Sequence, residues 1–112
     1  MKRSEVTSFQ RTVYESLSSV GPGRVTTYAL LGEAIGCRSP RAVGQALRRN
    51  PFAPKVPCHR VIASDLTPGG FNGARGGPEL ARKLRLLAAE GVLFRGGRLA
   101  DPARVVRPDV RP

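Results

Sequence analysis

The chain has 112 residues, of which 40% are apolar but only 5% aromatic, with no tryptophan; that is enough for one small domain with a core of Leu, Val, Ala and Ile. Its 19 Lys+Arg against 8 Asp+Glu leave a formal charge of +11, carried almost wholly by arginine, since lysine stands only at Lys2, Lys55 and Lys83. Guanidinium groups pair well with phosphate, so a polyanion is the natural partner, although a GC-rich genome also enriches arginine. The chain turns polar directly after Met1-Lys2-Arg3 and no apolar run approaches a membrane span, which argues against a signal peptide or membrane anchor and for a cytoplasmic protein.

In chain order, Val6, Phe9, Val13, Leu17 and Val20 recur at steps of three and four and predict a first helix over about Ser4 to Ser19, stopped by Gly21-Pro22-Gly23. Val25-Thr26-Thr27-Tyr28 opens a second helix, with Thr26 or Thr27 as its cap, Leu30, Leu31, Ala34 and Ile35 on its buried side, and Gly36 at its end. Ser39-Pro40 reads as N-cap and first-turn proline of a third helix, which buries Ala42, Val43, Ala46 and Leu47 and leaves Arg38, Arg41, Arg48 and Arg49 outside. Two short helices joined by a Gly-containing turn, the second rich in arginine, read as a helix-turn-helix. Asn50-Pro51 closes that helix, and prolines at 51, 54 and 57 favour an extended path beyond it.

A long loop, Ala63 to Pro78, carries five glycines and two prolines. A fourth helix is expected from about Pro78 to Glu90 with Leu80, Leu84, Leu87 and Ala88 inward. After Gly91, residues 92–99 read as a β-hairpin, the expected wing. The division into domains is therefore residues 1–100 as one unit and residues 101–112, with three prolines, as a loosely docked or disordered tail. The fold class is mainly α, a winged helix-turn-helix with a small β-hairpin wing.

The segment Val56-Pro57-Cys58-His59-Arg60-Val61-Ile62 sets one of two cysteines against the only histidine. A thiol is mostly protonated at neutral pH, and an adjacent imidazole can draw it toward the nucleophilic thiolate. The pair is thus either a reactive centre or a buried strand with a coincidental neighbour. Two cysteines without an export signal argue for reduced thiols, and Cys37, Cys58 and His59 are too few and wrongly spaced for zinc. Cys37, in the turn of the helix-turn-helix, reads as a small space-filler. No metal or cofactor is expected.

Gly23-Arg24-Val25-Thr26-Thr27-Tyr28, Arg41-Ala42-Val43-Gly44, Asn50-Pro51, Pro57-Cys58-His59-Arg60-Val61-Ile62, Gly70-Phe71-Asn72-Gly73 and Glu90-Gly91 occur in that order. In this the chain resembles the C-terminal, DNA-binding and active-site domain of O6-alkylguanine-DNA alkyltransferases, from about Phe9 to Leu99. The resemblance implies minor-groove binding and extrusion of a damaged guanine, because a thiol cannot reach an alkyl group inside the base stack. Arg41 would fill the space the base leaves. Cys58 would take the alkyl group from guanine O6, with His59 as general base through a bound water and Glu90 orienting the imidazole. Tyr28 would donate to guanine N3, and the amide around Asn72 to O6. Carbonyls of Cys58 and Val61 would accept from the exocyclic amine, Asn50 would tie the preceding turn in place, and Phe71, Asn72 and Gly73 would form the pocket loop. Arg60 would be structural or contact phosphate.

Three departures stand beside that resemblance. The N-terminal ribonuclease-H-like domain has no counterpart here, so the chain is similar to the short, single-domain members. Phe71-Asn72 replaces the common Tyr-Ser, and the stretch from Gly73 to Leu80 is longer. The length and the ending Glu90-Gly91-Val92-Leu93-Phe94 are also similar to alkyltransferase-like proteins, which flip alkylguanine and flag it for nucleotide excision repair without transfer, usually with Trp in place of the cysteine. The expected function is thus single-turnover transfer of the alkyl group to Cys58, by a methylated-DNA–[protein]-cysteine S-methyltransferase. The alternative is lesion binding without transfer. The partners implied are double-stranded DNA containing O6-alkylguanine and, on the second reading, excision repair proteins. A monomer, in the cytoplasm or on the nucleoid and away from membranes, is expected.

Overall fold

The computed structural model describes residues 6–53, 55–70 and 76–111. Among these residues four helices carry the architecture: α1 (Ser8–Leu17), α2 (Tyr28–Ala34), α3 (Pro40–Arg48) and α4 (Gly77–Ala89). Four two-residue strands join them, β1 (Thr26–Thr27), β2 (Val61–Ile62), β3 (Phe94–Arg95) and β4 (Arg98–Leu99), with short 3-10 turns at Cys58–Arg60 and Pro102–Arg104. The fold is the expected winged helix-turn-helix, with β3 and β4 pairing antiparallel about Gly96-Gly97 as the wing. No helix among the described residues is long and apolar enough to cross a membrane.

Local sequence explains each boundary. Thr7 and Gln10 close a reciprocal capping box at the start of α1. Thr27 rather than Thr26 caps α2, its Oγ1 accepting from the Leu30 amide. Ser39 caps α3, with Pro40 in the first turn, where a missing amide hydrogen costs nothing. Between α2 and α3 the chain doubles back so closely that a Cβ on Gly32 would lie 2.7 Å from the Cys37 carbonyl oxygen. Only glycine permits that turn.

Two clusters form the core. The larger packs Val13, Leu17 and Val20 from α1 and its end against Leu31, Ile35, Val43, Leu47 and Val61. The smaller joins Val25, Ile62, Leu87, Val92 and Leu99. β1 and β2, which pair in parallel with Thr26 opposite Val61 and Thr27 opposite Ile62, are the seam between them. Successive strand residues point to opposite faces, so Val61 enters one cluster and Ile62 the other.

Three expectations need correction. Phe9, placed on the core stripe of α1, is 38% exposed, and Tyr14 is buried in that helix instead. In α4 the buried positions are Lys83 and Leu87; Leu80 and Leu84 are half-buried and Ala88 is exposed. The stretch after Asn50, read as an extended path to Cys58, is instead a turn over residues 51–53, and a 3-10 turn at Cys58–Arg60 follows before β2 begins.

The segment after Asp101, expected as a loose tail, is hydrogen bonded along its length. Val105 bridges Val25 in parallel, with Val25 N donating to Arg104 O (3.0 Å) and Val106 N to Val25 O (2.8 Å). Further on, Ser16 Oγ donates to Asp109 O (2.6 Å), Asp109 N to Ser19 Oγ (2.9 Å) and Arg111 N to Ala34 O (2.7 Å). Beyond the short 3-10 turn at Pro102–Arg104, the amides of Val106, Asp109 and Arg111 find acceptors on neighbouring elements.

Candidate active site

The 3-10 turn Cys58–Arg60 is the centre of the site. Pro57 precedes it, Arg60 N donates to Pro57 O (2.9 Å) and Cys58 N to Val56 O (2.9 Å). At three residues per turn, consecutive side chains stand about 120° apart. Three adjacent residues are thereby sent to three environments: Cys58 lines an open cleft of about 1110 Å³, His59 is buried, and Arg60 runs to the end of α4.

Glu90, the C-cap residue of α4, collects two of them. Its Oε2 lies 3.0 Å from His59 Nε2, while Arg60 donates from Nε to Oε1 (2.9 Å) and from NH2 to Oε2 (2.8 Å). The remaining Arg60 nitrogen donates to Val20 O at 2.8 Å. Of the two roles expected for Arg60, the contacts are those of the structural one. A carboxylate at a helix C-terminus is locally unfavourable, and the forked guanidinium offsets that. Burial would raise the Glu90 carboxyl, but hydrogen bonds from Arg60 and His59 and their charges outweigh it and hold it down at about 2. The group is ionised near neutrality and can only accept, so Nε2 of His59 bears the hydrogen and Nδ1 is left as the basic nitrogen.

The thiol itself is not activated at rest. Burial pushes the Cys58 thiol up from its ordinary value, opposed by hydrogen bonding from Asn50, by the charge of Lys83 and by local backbone amides. Asn50 also braces the preceding turn, its Nδ2 donating to Val56 O and its Oδ1 accepting from Phe52 N, both at 2.9 Å. Cys37 is a half-buried free thiol, 3.7 Å from Ser39 O and packed against the larger core cluster.

Two walls face each other across the cleft. One is α3 with the start of α2: Tyr28, Arg41, Gly44 and Arg48. The other is the loop after β2, from Ala63 to Gly70, together with Leu80. Arg41 is exposed on the first turn of α3, at the rim. Tyr28 sits at the start of α2, its hydroxyl 3.4 Å from Gly70 O. Gly69 packs on that ring with φ +72°, and a Cβ there would come within 3.2 Å of it. Phe71, Asn72 and Gly73 lie outside the described residues.

Sequence reasoning missed Lys83. It is fully buried, and its Nζ donates to the carbonyls of Val61 (2.7 Å), Pro68 (2.6 Å) and Gly70 (3.0 Å). Burial pulls its ammonium down to about 8, with Cys58 acting the other way. A signal was present: in a chain that uses arginine almost everywhere for positive charge, a lysine interrupts the apolar face of α4, four residues before Leu87. Val61 is likewise more committed than expected, since its carbonyl already accepts from this ammonium.

Comparison with known proteins identifies the surroundings of this site. Residues 8–92 match the model of the 6-O-methylguanine DNA methyltransferase DNA-binding domain. The chain is 48% identical over 92 residues to the methylated-DNA–protein-cysteine methyltransferase of Pyrobaculum aerophilum, covering 82% of this chain and 55% of that protein. It is 48% identical over 81 residues to the DNA base-flipping protein of Thermus thermophilus, 72% of this chain and 51% of that one. The chain spans about half the length of these curated relatives. Among solved structures, S. pombe Atl1 in complex with damaged DNA containing O6-carboxymethylguanine aligns with a TM-score of 0.75 at 27% identity, over 96% of this chain and 100% of that one.

Proposed function

Because the chain belongs to the family of 6-O-methylguanine DNA methyltransferase DNA-binding domains, we propose that it repairs O6-alkylguanine in DNA by moving the alkyl group onto Cys58. The observation that carries this reading is the ordered set of Cys58 at the cleft, His59 behind it and Glu90 holding the imidazole. Duplex DNA docks by α3, Arg41 enters the stack, and the guanine turns out into the cleft. The Cys58 proton passes through a bound water to Nδ1 of His59, and Glu90 stabilises the imidazolium. The sulfur electron pair then forms the S–C bond as the C–O6 bond breaks. The pair left on O6 is returned to the guanine, which takes up one proton, while Tyr28 at N3 and the amide around Asn72 at O6 hold the charge. Asn50 and Arg60 keep the turn in place, and the carbonyls of Cys58 and Val61 select the exocyclic amine, with Phe71 and Gly73 completing the pocket. The thioether has no easy reversal, so each monomer acts once and needs no cofactor.

A raised resting thiol supports the need for a base. It is mostly protonated until substrate binds, and the buried imidazole beside it has the tautomer to accept a proton. The test is incubation with an O6-methylguanine duplex followed by intact-protein mass spectrometry. A gain of one methyl group mapped to Cys58 is the expected result. Tight lesion binding with no adduct after long incubation overturns it.

That second outcome corresponds to a distinct reading, lesion recognition without transfer followed by recruitment of excision repair proteins. The likeness to the Atl1 structure, with a TM-score of 0.75, favours it. A cysteine facing the cleft favours transfer.

A further inference from the structure

We propose that Lys83 is a positioning residue of this site, one that fastens the loop carrying Pro68 and Gly70 to β2 and supplies the positive charge against which the Cys58 thiolate forms. The inference rests on the reading of Cys58 as the alkyl acceptor.

An ammonium with no exposure to solvent is costly unless its hydrogens are placed. Here three hydrogens meet three carbonyls, those of Val61, Pro68 and Gly70, at 2.6 to 3.0 Å. A neutral amine has only two hydrogens and would leave one carbonyl unpaired, so the geometry is that of the charged form. Among the described residues these bonds go to no carboxylate. The Glu90 carboxylate at the end of the same helix is engaged by Arg60 and His59. Among the titratable groups of neighbouring elements, the Cys58 thiol of the 3-10 turn is near enough for its charge to act on Lys83, and the Tyr28 hydroxyl of α2 shares the Gly70 carbonyl with it. Once ionised, Cys58 is an anion whose charge acts on this cation, and the cation on it.

Its second effect is mechanical. Val61 belongs to β2, directly after the reactive turn, whereas Pro68 and Gly70 belong to the loop that lines the cleft. One side chain spans both. Held this way, Gly69 keeps its contact with the Tyr28 ring, so the base-binding wall and the nucleophile share a single anchor.

The test needs no DNA, so a failure of the transfer reading leaves it interpretable. In a Cys37→Ser background, alkylation of Cys58 by iodoacetamide is followed from pH 5 to pH 10, by peptide mass spectrometry. In the parent protein the rate rises through two coupled ionisations, those of Cys58 and Lys83 together. In Lys83→Met the rise becomes a single step, moved about one pH unit or more toward alkali, with about a tenfold loss of rate at neutral pH. Lys83→Arg retains the charge and stays near the parent. A folded Lys83→Met protein with an unmoved profile overturns the proposal. If Lys83→Met does not fold, the Lys83 Cε resonance is titrated by NMR in the parent and in Cys58→Ser. A lower midpoint in Cys58→Ser is expected, and coincident midpoints overturn the proposal.

Discussion

Cys58 and Glu90 illustrate how one neighbourhood sets two acidities in opposite directions. Burial acts upward on both, but the thiol has only Asn50, Lys83 and backbone amides against it, whereas the carboxyl has a bidentate arginine and an imidazole. The thiol therefore waits protonated and the carboxylate stays ionised. Cys58→Ser should abolish methyl transfer while leaving lesion-duplex affinity within about threefold, because a hydroxyl of similar size keeps the packing but is a far poorer nucleophile. Gel-shift titration beside intact mass measurement checks both halves; joint loss would mean that the fold, not the chemistry, was disturbed. Glu90→Gln removes the anion but keeps an acceptor for His59. It should slow transfer about tenfold or more and, by stranding the Arg60 guanidinium, destabilise the protein by about 2 kcal/mol in urea denaturation.

At the scale of elements, α3 has two jobs that its sequence separates by face. Val43, Ala46 and Leu47 are buried in the core, while Arg41 and Arg48 stay at the cleft. If Arg41 enters the base stack, Arg41→Ala should slow transfer from duplex by about tenfold, the value of one sizeable interaction, and transfer from a free O6-alkylguanine base by less than about twofold. Single-turnover rates on the two substrates decide the matter, and equal losses would argue against the intercalating role. The helices were legible because periodicity, caps and punctuation agree: Ser39-Pro40 opens α3 and Thr27 caps α2 as their side-chain chemistry requires. β1 and β2 were not legible. Two residues offer no alternation to read, and each exists only because the other lies beside it.

For the whole molecule, Glu90 and Lys83 contribute to the pH dependence of stability with opposite signs. The Glu90 carboxyl lies near 2 in the folded chain against 4.5 ordinarily, so its contribution, up to about 3 kcal/mol, is complete above pH 4.5 and is lost as pH falls toward 2. Lys83 works with the opposite sign. Its folded value near 8, against 10.5, means that the unfolded chain binds the proton more tightly, so its contribution to stability rises as pH increases from 8 to 10.5, opposed above about pH 9 by the raised Cys58 thiol. Urea midpoints across both windows should show both slopes, and Lys83→Met should flatten only the alkaline one. The closing segment belongs to the same accounting. It bridges Val25, bonds to α1 and α2, and carries Arg104, which donates from NH1 to Gly23 O at 2.9 Å. Truncation after Ala100 should lower the melting temperature by about 5 °C or more in calorimetry.

Composition, caps and motif order sufficed for the helices, for the exposed arginines of α3 and for the adjacency of Cys58 and His59, because those signals are local or lie within a few residues. Distance in the chain hid the rest. His59 and Glu90 are 31 residues apart and meet because a 3-10 turn ends where α4 ends. Nothing next to Lys83 in the chain marks it as buried; it is buried because the loop after β2 and Val61 offer it three carbonyls. A backbone carbonyl leaves no mark in the sequence, so a cation bound by carbonyls alone can be recognised only in the folded chain.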